Sequence, residues 1–132
     1  MIKMDMIWIA AAMLIYPKTS LTFTVTRIQI EEKVANLFGA DLTPIMIERH
    51  LVSWEDRQAN KTFPTRGGNR ARYLFRTEDG KTPSRKGQYR LYKNLDGNFD
   101  GIDKTGRTHP DKADIPLEYH NLIEWYLAKY YP

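Results

Sequence analysis

Between Arg57 and Lys93 the chain holds eleven cationic side chains: Arg57, Lys61, Arg66, Arg70, Arg72, Arg76, Lys81, Arg85, Lys86, Arg90 and Lys93. Only Glu78 and Asp79 oppose them, so this stretch carries +9 (11 − 2) and the rest of the chain −5 (4 − 9). Clustered guanidinium and ammonium groups displace counterions from a phosphate backbone, so a charge distribution this one-sided points to a polyanion, and nucleic acid is the expected partner. Arg66, Arg70, Arg72, Arg85, Lys86 and Arg90 are the expected phosphate contacts, with Arg57 and Arg76 beside them. Upstream, Arg49, His50 and Ser53 fall on one exposed side of a predicted helix. There the arginine fork is able to donate two hydrogen bonds to guanine, and His50 and Ser53 suit bases or phosphates.

Other chemistries find little support. The absence of cysteine removes disulfides, thiolate nucleophiles and cysteine zinc sites. His50, His109 and His120 are too scattered to form a ligand set. The segment Thr65-Arg66-Gly67-Gly68-Asn69-Arg70 is built like a phosphate-contacting turn, but it lacks the ending of a nucleotide-hydrolysing loop. Asp96-Gly97-Asn98-Phe99-Asp100-Gly101 starts like a calcium loop, yet Arg107 stands where a bidentate glutamate is required, so a turn held by Asx side chains is expected. Glu31-Glu32-Lys33 and Asp111-Lys112 offer the residue types of a nuclease without its clustering. No catalytic role, metal or cofactor is expected. Asn60-Lys61-Thr62 matches a glycosylation sequon, which is irrelevant to an intracellular chain.

The elements that position these residues follow from periodicity and caps. Met6 to Tyr16 is an apolar run of eleven residues, too short for a membrane span of about 20 and without a cleavage pattern after it. It reads as a deeply buried helix from Met4 to Tyr16 that stops before Pro17, in a cytoplasmic protein that does not enter membranes. Leu21 to Val25 alternates as a short strand. Thr26 and Gln29 form a capping box for a helix running to Phe38, which Gly39 should end in the left-handed conformation. Thr43 and Pro44 start a further helix to Asp56. Arg72–Arg76 and Gln88–Tyr92 read as a hairpin with a long basic connection. Tyr73, Phe75, Tyr89 and Leu91 are expected on one face, with Arg72, Arg76 and Arg90 beside Leu74 and Tyr92 on the other. A Gly- and Asp-rich loop from Asn94 to Pro110 leads to a helix over Pro116–Tyr131. Its apolar stripe is Tyr119, Leu122, Ile123, Tyr126, Leu127 and Tyr130.

This order resembles the winged helix-turn-helix family: Thr22–Val25 as first strand, Arg27–Phe38 as second helix, Gly39–Thr43 as turn, Pro44–Asp56 as recognition helix and Arg72–Tyr92 as wing. The resemblance covers roughly residues 4–93 and lies in element order. It implies an α+β fold in a single domain, extended by the loop and helix over 94–132. It also implies double-stranded DNA as partner, with the recognition helix in the major groove and the wing on the backbone or minor groove, as in a transcriptional regulator or a DNA-docking component. The long loop before the wing, and the acids Glu48, Glu55 and Asp56 beside the recognition face, depart from that pattern. Two alternatives stand. One is an RNA or single-strand binder, whose aromatics in RYLFR and YRLYK stack on bases. The other is a winged helix used for protein interaction. The C-terminal stripe is expected to pack on the first helix, with a homodimer through its remaining face as a further option.

Overall fold

Thr26 organises the first half of the fold. Its hydroxyl accepts the Gln29 N–H at 3.2 Å, and the Gln29 side-chain carbonyl accepts the Thr26 N–H at 2.8 Å, which closes the expected capping box. The computed structural model describes residues 1–18, 20–43, 46–47, 71–81, 87–96, 98–99, 102–103 and 106–132. Among these, helix α1 spans Lys3–Ile15, strand β1 Val25–Thr26 and helix α2 Arg27–Phe38. Gly39 ends α2 at φ +63°, and its N–H bonds to the Ala35 carbonyl. Strands β2 (Leu74–Arg76) and β3 (Gln88–Leu91) follow, then a short hairpin of β4 (Asn98–Phe99) and β5 (Ile102–Asp103). Two 3₁₀ turns, Lys112–Asp114 and Leu117–Tyr119, lead into helix α3 at His120–Tyr130. The fold is α+β; the described residues include the helices α1, α2 and α3 and a three-stranded antiparallel sheet in the order β1-β3-β2.

Helix α1 is apolar around most of its circumference and lies in the centre. Ile7, Trp8, Ile9, Ala10, Ala11, Ala12 and Ile15 are all buried. No helix among the described residues is long and apolar enough to cross a membrane. Leu122, Ile123, Tyr126 and Tyr130 of the expected α3 stripe pack within the chain, whereas Tyr119 is half-buried and Leu127 is exposed. Trp8 meets Tyr126 edge-on at 5.5 Å between ring centroids, Tyr16 meets Trp125 at 5.2 Å, and the Tyr126 hydroxyl donates to the Tyr92 carbonyl. Leu122, Ile123, Tyr126 and Tyr130 join the same buried cluster as Ile30, Val34, Tyr73 and Leu91. The core therefore extends past residue 93 and includes the C-terminal helix.

The hairpin departs from the expected arrangement in its register. Leu74 pairs with Leu91, Phe75 with Arg90 and Arg76 with Tyr89. Directly paired residues share a face. Arg90 therefore sits on the side of Phe75, not opposite it, and Tyr89 shares the side of Arg76. One residue of slip moves every side chain of a strand to the other face, and alternation within each strand fixes no register between two strands joined by a long connection. Both faces are also covered, because every residue from Arg72 to Thr77 and from Tyr89 to Tyr92 is buried.

The first strand is shorter than expected. Only Val25 and Thr26 pair, with Tyr89 and Gln88. Upstream, the Ser20 hydroxyl accepts the Thr22 N–H at 3.2 Å, a local bond that competes with strand formation. The segment expected to be a loop from Asn94 to Pro110 contains the β4–β5 hairpin. The helix expected over Pro44–Asp56 lies outside the described residues except for Met46 and Ile47, which are helical, with Ile47 buried.

Candidate nucleic-acid interface

Three of the expected phosphate contacts are interior residues. Arg72 is 0% exposed, Arg90 1% and Arg76 7%. Each nitrogen of the Arg90 guanidinium has an internal partner. Its guanidinium forms a fork on Asp96 at 2.7 and 2.8 Å, donates to the Leu91 carbonyl at 2.9 Å, and donates from Nε to the Gly80 carbonyl at 2.7 Å. Its plane lies 4.3 Å over the Phe75 ring, so the cation is also held against a π face. The expectation that Arg72, Arg76 and Arg90 form an exposed basic face is thus corrected. In a sheet covered on both sides, the second face of a strand is interior too.

Asp96, the first position of the calcium-like segment, is occupied by this arginine. Its carboxylate also accepts the Lys93 N–H, and the Asp96 N–H donates to the Lys93 carbonyl at 3.0 Å, which closes a turn over 93–96, upstream of the segment expected to turn. Leu95 takes φ +73° within it.

The aromatic residues of the hairpin are interior as well. Tyr73, Phe75 and Tyr89 are fully buried and Tyr92 nearly so. Bases cannot stack on rings that lie inside the core, so these residues supply no single-strand platform.

The other eight cations of the basic stretch are Lys81, Lys93 and six residues outside the described set. Lys81 is exposed at the start of the β2–β3 connection, and Lys93 is half-buried. Arg57, Arg66, Arg70, Arg85 and Lys86, like Arg49, His50 and Ser53, lie outside the described residues, as does Lys61. Among the described residues, the expected contacts Arg72, Arg76 and Arg90 are all buried. The β2–β3 hairpin is paired through Val25 and Thr26 to the strand that runs directly into α2.

A second buried polar cluster had no local signal in the sequence. The Tyr73 hydroxyl donates to Asp5 Oδ1 at 2.9 Å, across 68 positions. Burial raises the Asp5 carboxyl above its usual range, and Asp114 and Asp111 act in the same direction; the Tyr73 bond and Arg107 oppose them. Burial, reinforced by Asp5, likewise raises the Tyr73 phenol. Tyr130 is pushed up to about 12 by burial. These groups are structural. Two open clefts, one lined by Met1, Ile2, Asp5 and Asp114 and one by Met13, Tyr16, Glu118, Tyr119, Asn121 and Leu122, offer acidic and apolar walls that do not suit phosphate. The chain matches no family model, no curated protein and no solved structure, so its function is read from its own residues.

Proposed function

We propose that the chain is a winged-helix protein that docks on duplex DNA. The segment Pro44–Asp56 enters the major groove, and the basic β2–β3 connection lies on the phosphate backbone. The observation that supports this most is the sheet order β1-β3-β2 with α2 starting at the last residue of β1. It puts the β2–β3 hairpin beside the start of α2, an arrangement compatible with a helix-and-wing reader. Burial of Arg72, Arg76 and Arg90 narrows the proposed contacts to Arg49, His50 and Ser53 for bases, and Arg57, Arg66, Arg70, Arg85 and Lys86 for backbone. The burial of Tyr73, Phe75 and Tyr89 favours a duplex over a single strand. A DNA-docking role of this kind suits a transcriptional regulator or the DNA-contacting part of a larger system.

Fluorescence anisotropy with one sequence as duplex DNA, single-stranded DNA and RNA, each at several salt concentrations, tests the proposal. Tightest binding to the duplex, weakening steeply with salt, is expected. Preference for the single strand or RNA, or no binding to any of them, overturns it. The last outcome moves the protein-interaction alternative to the front.

A further inference from the structure

A cleft opens where the end of α1 meets the start of α3. Met13 and Tyr16 line it from one side, and Glu118, Tyr119, Asn121 and Leu122 from the other; its volume is about 320 Å³. That lies at the small end of the range for ligand sites, roughly 300–1,000 Å³. The two tyrosines are each braced by a second aromatic ring. Tyr16 meets Trp125 at 5.2 Å between centroids with the planes at 65°, and Tyr119 meets Phe38 at 5.9 Å and 64°. Tyr16 is exposed and Tyr119 half-buried, so both rings stay within reach of a ligand.

One carboxylate sets the charge of the cleft. Among the described residues Glu118 forms no ion pair, in contrast to Glu124, which Lys112 holds at 3.0 Å. Lys18, the basic residue nearest to Tyr16 in sequence, lies over the Phe23 ring at 5.1 Å and does not line the cleft. The negative end of the α1 dipole and the positive end of the α3 dipole meet here and act in opposite senses, so Glu118 decides the sign. Burial, with Glu118 acting in the same direction, raises the Tyr119 phenol, so that ring stays neutral. Besides the carboxylate, the lining side chains offer only two phenols and the Asn121 amide as hydrogen-bonding oxygen and nitrogen groups.

We propose that this cleft binds an alkylated ammonium head, the group shared by free choline-type molecules and methylated lysine side chains. Aromatic rings attract such a cation through their quadrupole, and Glu118 supplies the counter-charge. The alkyl groups shield the nitrogen from water, so the cation enters a site with few hydrogen-bond partners at little desolvation cost. A primary ammonium would give up water bonds that these side chains replace only in part. An anion is repelled by the same carboxylate. Binding at this cleft does not depend on DNA docking.

The test is a titration of the intact, isotope-labelled chain at constant ionic strength, followed through its backbone amide resonances. The probes are choline, its neutral isostere in which carbon replaces the quaternary nitrogen, and a short peptide carrying trimethyllysine. Saturable shifts at Tyr16, Glu118, Tyr119 and Asn121 are expected with choline, with the isostere binding about tenfold more weakly. Glu118→Gln keeps the shape of an exposed side chain; it is expected to weaken choline several-fold and to leave the isostere unchanged. Tyr16→Leu keeps an apolar wall without the ring and should likewise weaken choline more than the isostere. The peptide separates the two sources of the head group: binding tighter than choline assigns a protein tail, and binding no tighter assigns a free small molecule. Equal affinity for choline and the isostere, choline binding unaltered by Glu118→Gln, or no saturable shift with any of the three probes overturns the proposal.

Discussion

Replacing Arg90 by methionine separates a structural arginine from a DNA-contacting one. Arg90 and Asp96 are both almost fully buried, and their nearest oxygen–nitrogen distance is 2.7 Å. Arg90→Met removes both arms of the fork and leaves the Asp96 carboxylate inside the protein with the Lys93 N–H as its described partner. It also strips the donor from the Gly80 and Leu91 carbonyls. Breaking a buried pair by deleting one partner costs about 3–5 kcal/mol, because the remaining charge is uncompensated. At this chain length each kcal/mol moves Tm by roughly 3–5 °C, so a fall of about 10–20 °C is expected. The double change Arg90→Met/Asp96→Leu removes both charges and should recover most of the loss, since buried pairs often exchange for apolar residues at little cost. Calorimetry on the three variants measures this. A surface arginine would give a change within about 0.5 kcal/mol. A Tm for Arg90→Met within about 2 °C of the native chain would refute the assignment of Arg90 to the interior.

Three further outcomes follow from the packing. Asp5 has a raised carboxyl pKa in the fold, so the folded state holds its proton more tightly than the unfolded chain. Its stabilising contribution is complete below about 3.8 and is lost as pH rises through the higher folded value. The stability difference between the native chain and Asp5→Asn, whose amide still accepts from Tyr73, should therefore fall with rising pH in that window; a flat or rising difference in urea titrations would contradict it. Thr26→Ala removes the cap of α2 and should cost about 1 kcal/mol in chemical denaturation, whereas a neutral result would mean that the capping box adds nothing. Tyr126→Ala leaves a hole between Trp8 and Tyr130 and takes the donor from the Tyr92 carbonyl, so a loss of about 3–5 kcal/mol is expected. A loss under about 1 kcal/mol would mean that α3 is not part of the core.

The boundaries of α1 and α2 were legible because they depend on neighbours in sequence, whereas α3 starts at His120, four residues after the expected Pro116, behind the 3₁₀ turn Leu117–Tyr119. Thr26, Gln29 and Gly39 act within one turn, and Pro17 stops α1 from one residue beyond Tyr16. The central place of α1 was legible because so many of its side chains are apolar, and the stripe of α3 because it repeats at helical spacing. Arg90 was misplaced because its partners are selected by register. Strand alternation places it on a face, but whether that face meets solvent depends on Phe75 and on a turn that brings Asp96 back six residues later. A cue was present: Arg90 stands between Tyr89 and Leu91, with an acid within reach of one turn. The Asp5–Tyr73 bond joins the first helix to the start of β2, and only the fold brings them together. For the candidate site, the charge segregation from Arg57 to Lys93 remains a property of the sequence, while the structure reassigns three of its arginines to the interior.

The most direct test of the proposed function is the salt dependence of duplex binding for the native chain and for Arg85→Ala/Lys86→Ala. A DNA-docking winged helix with its hairpin on the backbone predicts a steep negative slope for the native chain and one shallower by about 2 for the variant, with Tm unchanged. Equal slopes for the two proteins, or binding that does not respond to salt, would contradict it.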